Sequence, residues 1–197
     1  FVIYPLSEVG TKMRIGYFVG HFPYRDSLEN RRGDYYRGVG GASLVAFNLA
    51  TSMAKRGHEV SVFTTSNCRH DQVENNEEFV VHRYGASLRI ASTNLSLGLY
   101  IRSCQRDVDL VHAHGGNPMA ELAALRYANT RRLPLVLTYH GDHIPYGGPI
   151  LRMGALFSLH YISPRILNEA KTVICPSQYY MTKSKLLARF KDKVAVI

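Results

Sequence analysis

Residues 133–143 read Leu-Pro-Leu-Val-Leu-Thr-Tyr-His-Gly-Asp-His, and the fold turns on how that stretch is read. From Leu133 to Tyr139 it is apolar almost without interruption, as a strand is when both faces of its sheet are covered. Such a strand should lie centrally. On either side, apolar β-branched runs of strand length alternate with longer segments of helical period, the pattern of a parallel sheet flanked by helices. Upstream, strands are predicted at Arg14 to Gly20, His58 to Thr65, Phe79 to Tyr84 and Val108 to Ala113. A helix is predicted from Gly41 to Arg56, where Leu44, Val45, Leu49 and Met53 recur near helical spacing and Gly57 supplies the stop. Others are predicted from Asn94 to Cys104 and from Pro118 to Thr130. Downstream, Ile150 to Ala170 reads as helical in part and Thr172 to Cys175 as a short strand. Ser177 to Arg189 reads as a helix N-capped by Ser177, and Lys193 to Ile197 as a last strand. The fold class is α/β, a Rossmann-like parallel sheet flanked by helices, without internal repeats.

Composition narrows the class. The 197 residues, 46% hydrophobic and 20% charged, suit one folded core and are too few for two full α/β domains. Three cysteines without a C-x-x-C pair suggest neither a disulfide framework nor a structural zinc site, and a reducing cytoplasm is expected. No signal peptide or membrane-spanning run is seen. Phe1 to Lys12 precedes the first methionine, Met13, and is read as vector-derived sequence or a misplaced translation start. The close of the chain inside a strand-like run leads to the expectation that more protein follows. A net charge of +9 favours an anionic partner.

Ligands of open parallel sheets gather beyond the carboxyl ends of the strands, and three such ends stand out. After the first strand, the long connection His21 to Arg37 closes on Gly38-Val-Gly40-Gly41 directly before a helix, where exposed amides and the positive end of the helix dipole suit a phosphate. A nicotinamide dinucleotide site would need G-x-G-x-x-G in a tight turn and an acidic residue closing the second strand; Ser43 and the Thr64-Thr65-Ser66 ending supply neither. The second end is His112-Ala-His114-Gly115-Gly116. Two histidines one residue apart point the same way on a strand, yet no carboxylate or cysteine cluster completes a metal shell, so no metal is expected. His114 and Gly115 are candidate ligand contacts. The third end, Thr138-Tyr139-His140-Gly141-Asp142-His143, puts titratable groups at the mouth of the central strand.

Other chemistries lack their motifs. There is no G-x-S-x-G elbow and no Walker loop. Arg25, Arg31, Arg32 and Arg37 interleave with Tyr24, Tyr35 and Tyr36 as in single-strand binders. Asp26, Glu29 and Asp34 cancel most of that charge, so a loop reading an anionic acceptor is favoured and nucleic acid is not expected.

From Met13 to Ile197 the chain resembles the retaining glycosyltransferases of the GT-B fold, the family 4-like group that includes glycogen synthases, sucrose synthases and phosphatidylinositol mannosyltransferases. The likeness rests on MRIGYFV before a loop with GVGGAS, on LATSMAKRGHEVSVFTT, on DVDLVHAH, on LVLTYHGD, and on AKTVICPSQYYMTKSKLL before DKVAVI, in that order and spacing. It implies that residues 13–197 form the N-terminal, acceptor-side domain, and that a C-terminal nucleotide-binding domain carrying the family's glutamate pair is absent here. The donor would be a nucleotide sugar, UDP- or GDP-hexose, used as substrate, with no permanently bound cofactor. Gly40 and Gly41 are then similar to the glycines whose amides meet the donor diphosphate, and His140 to the catalytic histidine at the transferred sugar. Tyr24, Arg25, Tyr36, Arg37, Asp142 and His143 fall where such enzymes bind a sugar or lipid acceptor. The implied chemistry is front-face substitution with retention, which requires no hydrolase-type carboxylate pair on this half; this half alone would be inactive. The apolar segment Ile150 to Leu167 reads as an ordinary buried helix, though in several relatives the corresponding surface touches lipid. A cytoplasmic protein, peripheral on the inner membrane face, is the matching expectation. A non-catalytic sugar-nucleotide-binding module and a GT-B epimerase are the alternatives.

Overall fold

The computed structural model describes residues 11–24, 40–90, 93–142 and 147–197. Arg25, Tyr36, Arg37 and His143, and all but the last two residues of the 1–12 extension, lie outside that set. Among the described residues, eight strands form one sheet in the order β10-β9-β8-β7-β1-β2-β4-β3. They are β1 Arg14–Phe18, β2 Glu59–Thr65, β3 Gln72–Asn75, β4 Val80–Tyr84, β7 Leu110–His114, β8 Leu135–Thr138, β9 Thr172–Cys175 and β10 Val194–Val196. All neighbours pair parallel except β3, which runs antiparallel on the edge. A separate hairpin joins β5 Leu88–Ile90 to β6 Thr93–Leu95. β8 is interior, as its apolar run requires, with β7 and β1 nearer the middle.

Alternation along each strand sorts side chains to two faces. Phe18, Phe63, Val111, Ala113, Leu135, Leu137 and Val173 form one core with the helices α3 Pro118–Arg131 and α5 Ser163–Glu169. Ile15, Tyr17, Val19, Val60, Val62 and Val81 form the other, under α1 Gly41–Lys55, whose Ala46 and Ala50 let it approach closely. By the same alternation His112 and His114 face the α1 side. Gly57, at φ +88, ends α1 as predicted. Asn117 caps α3 by accepting from Met119 N and Ala120 N at 3.0 and 3.1 Å. A Cβ at Gly20 would come within 2.2 Å of Asn117, so only glycine lets the end of β1 pass that cap.

Several expectations are corrected. Asn94 belongs to β6, and the following helix, α2 Leu97–Arg102, is shorter than predicted because Ser96 caps it by accepting from Leu99 N at 3.1 Å. The edge strand β3 escapes notice in the sequence because Gln-Val-Glu-Asn lacks apolar alternation. The helix begun at Ser177 is capped there, but α6 covers only Gln178–Lys183. Ser184 then accepts from Leu187 N at 3.0 Å and starts a separate 3-10 turn. The segment expected as a buried helix divides: α4 Pro149–Phe157 has no buried residue, whereas Ile166 and Leu167 of α5 are fully enclosed. A π turn at Ser158–Ile162 joins the two. Among the described residues no helix is long and apolar enough to cross a membrane.

Candidate functional site

At the carboxyl ends of β1, β7 and β8 a row of rings lies on the α1 face. Tyr17 and His112 are register partners on adjacent strands and stack at 4.9 Å between centroids. His112 and His114 follow at 4.9 Å, and His114 and His140 at 5.4 Å. His112 Nε2 meets Thr138 Oγ1 at 2.8 Å, and His114 Nδ1 meets His140 Nε2 at 3.1 Å. His114, expected as a ligand contact, is only 1% exposed, and its Nδ1 is engaged by a neighbour within the chain. Gly115 is likewise buried and donates its amide to Thr138 O at 2.9 Å. His140 is the half-buried member at the rim of the row. Tyr17 and Thr138 were missed in the sequence; the strand register that brings them to the histidines was the only signal, and it emerges only on folding.

Burial disfavours the charged form of all three imidazoles. His112 is pushed down to about 4, first by burial and then by His140. His114 lies well below its ordinary range, and burial lowers His140 as well. The row is therefore neutral at physiological pH. An imidazole with a depressed folded-state pKa is protonated first in the unfolded chain, so this stability is complete above pH 6.5 and is lost as the pH falls toward 4. His112 alone accounts for about 3 kcal/mol of that loss. Asp109, hydrogen-bonded to Arg14, is held below the ordinary carboxylate range and contributes its own loss only at lower pH. Thermal unfolding of the whole protein should thus drop in midpoint between pH 6.5 and 4, and His112→Gln should flatten that slope. An unchanged slope in the variant would contradict the assignment.

The loop after β8 is pinned from below. Gly141 has φ +149, a conformation that favours glycine. Asp142 Oδ1 accepts from Tyr139 Oη and, at 2.9 Å, from Ser184 Oγ, so one oxygen of this expected acceptor contact is already held by the chain. Tyr24 lies elsewhere. Its ring sits 3.7 Å under the guanidinium of Arg83 on β4, and its Oη accepts from Asn67 N at 2.9 Å. Four strand spacings, roughly 19 Å, separate β4 from β8, so Tyr24 and His140 are not brought together.

Gly40 and Gly41 open α1. Because α1 returns from the end of β1 to the start of the parallel β2, its N-terminus lies at the same sheet edge as His140 and on the same face. Gly40 caps it in extended conformation, no side-chain cap is seen among the described residues, and no acidic residue sits in its first turn. Among the described residues an added Cβ at either glycine would meet nothing within 4 Å, so packing against them does not demand glycine there. No group of three or more metal-ligating side chains occurs among the described residues.

A family model described as Glycosyltransferase Family 4 matches residues 39–197. The chain is 30% identical over 162 residues to D-rhamnosyltransferase WbpZ of Pseudomonas aeruginosa, covering 81% of this chain and 40% of that protein. It is 28% identical over 161 residues to O-antigen chain mannosyltransferase C of Escherichia coli, covering 80% and 41%. It therefore spans about two fifths of the length of these curated relatives. Among solved structures, HepE of Anabaena in complex with UDP-glucose aligns with a TM-score of 0.55 and 17% identity over 94% of this chain and 43% of that one. At that identity the likeness speaks for the fold alone.

Proposed function

The chain belongs to glycosyltransferase family 4, and on that premise we propose that it forms the N-terminal, acceptor-side half of a retaining GT-B enzyme moving a hexose from a UDP- or GDP-hexose to a sugar or lipid acceptor. One observation carries this reading: the N-terminus of α1, with glycine as its N-cap and no acidic residue in its first turn, and the neutral imidazole of His140 share one face and one edge of the sheet. The first-turn amides and the helix dipole at Gly40 and Gly41 suit a diphosphate. In the proposed step the bond from the anomeric carbon to the donor phosphate oxygen breaks. The acceptor oxygen bonds to that carbon on the same face, and its proton passes to the departing phosphate. Stabilising charge on the diphosphate then lowers the barrier. A C-terminal domain gripping the nucleotide belongs to the proposal, under which this half alone does not turn over. So does a cytoplasmic, peripheral location, with the outward Ile150, Met153 and Phe157 of α4 beside Arg152 at the membrane surface.

The test is a screen of nucleotide sugars against simple acceptors with the complete protein, scoring transfer and anomeric configuration. Binding without turnover would overturn it. A sharper arm is Gly41→Asp. A carboxylate in the first turn of a helix is neutral or mildly stabilising to the fold, yet it faces the diphosphate with like charge. Donor KM should rise about tenfold or more, whereas Gly41→Ala, whose Cβ meets none of the described residues within 4 Å, should leave it nearly unchanged.

A further inference from the structure

The contact between His114 and His140 is edge to edge. The planes differ by only 20°, and the nitrogens are 3.1 Å apart while the centroids are 5.4 Å apart, so the hydrogen bond lies near both ring planes. A neutral imidazole carries one proton on one of two nitrogens. Were that of His114 on Nε2, a buried N–H would have no acceptor, since His114 Nε2 is enclosed without a hydrogen-bond partner. Placed on Nδ1, it is paired, and only a lone pair is left unmatched. Orphaned buried N–H groups are the rarer arrangement.

We propose that His114 is a positioning residue that donates Nδ1–H to Nε2 of His140, holding His140 in the tautomer protonated on Nδ1. His140 then has no free lone pair: Nε2 accepts from His114, and Nδ1 already bears hydrogen. It serves substrate as a hydrogen-bond donor and not as a proton acceptor. Burial, which keeps both rings neutral, preserves this arrangement. The consequence for turnover rests on the transferase reading; the tautomer itself does not.

The experiment is long-range 1H–15N NMR on the complete protein labelled with 15N-histidine, with His140→Asn identifying the His140 signals. His140 is expected as the Nδ1–H form. In His114→Asn the side-chain amide nitrogen stands near the place of Nδ1, so the tautomer should persist and kcat should stay within about threefold of the parent. In His114→Leu the donor is gone; the tautomers should mix and kcat should fall about tenfold or more with donor KM little moved. An Nε2–H form of His140 in the parent protein would overturn the proposal, as would equal kcat losses in the two variants. If His114→Leu fails to fold, the parent spectrum and His114→Asn still decide. Should no sugar be transferred while the spectrum reads Nδ1–H, the transferase reading falls and the positioning role stands.

Discussion

Replacing His140 by Ala in the complete protein should lower kcat about 100- to 1000-fold, the effect of removing one preorganised hydrogen-bond donor from a site where charge develops. Donor KM should move far less, because a contact that strengthens only in the transition state acts on kcat. The fold should survive. His140 is half-buried at the rim, and its loss costs one hydrogen bond to His114, about 1–3 kcal/mol for the partner left behind. Circular dichroism and the unfolding midpoint would separate that modest loss from the catalytic one. Transfer within about threefold of the parent would remove His140 from the catalytic role.

The second large effect is on stability. Arg83 is wholly buried, and four of its N–H groups are matched: two to Glu74 at 2.5 and 3.0 Å, one to Phe22 O at 2.8 Å and one to Pro23 O at 2.7 Å. It thereby ties β3, β4 and the segment leaving β1 into one knot. Arg83→Met keeps the apolar stem but strands two carbonyls and a half-buried carboxylate, a loss of about 3–5 kcal/mol. For a domain of this size that lowers the unfolding midpoint by roughly 10 °C. Glu74→Gln, which keeps an acceptor near the partly exposed edge, should cost clearly less. Equal, small shifts in both variants would show that the ion pair contributes little.

Much of this was legible because strand periodicity and helix caps are local. The run Thr172–Cys175 was bounded as found, and Ser177 caps its helix as its side chain and position suggest. Gly57 stops α1 because only glycine settles easily at its φ. Where expectation failed, a polar side chain had two readings. Ser184 looked like one more helical residue and instead caps the next turn; Asn94 looked like a helix start and instead pairs in a hairpin. Edge strand β3 lacks an apolar face to advertise it. At the site, His140 and the two glycines could be placed at the sheet edge from order alone. The ring row could not, since Tyr17, His112, His114 and His140 come from β1, β7 and the segment just past β8, whose register is set only by pairing.

The wide turn at Ser158–Ile162 has a geometric corollary. Each residue of a helix advances it by about 100°, so one surplus residue rotates everything before it by that much relative to everything after. At a uniform 100° per residue the outward stripe of Ile150, Met153 and Phe157 and the inward stripe of Ile162, Ile166 and Leu167 would lie on nearly opposite sides of the rod, and the surplus residue brings them to about a right angle. Substitutions that reshape the solvent side of α4 need not disturb the packing of α5, leaving one half free to diversify while the other stays bound to the core.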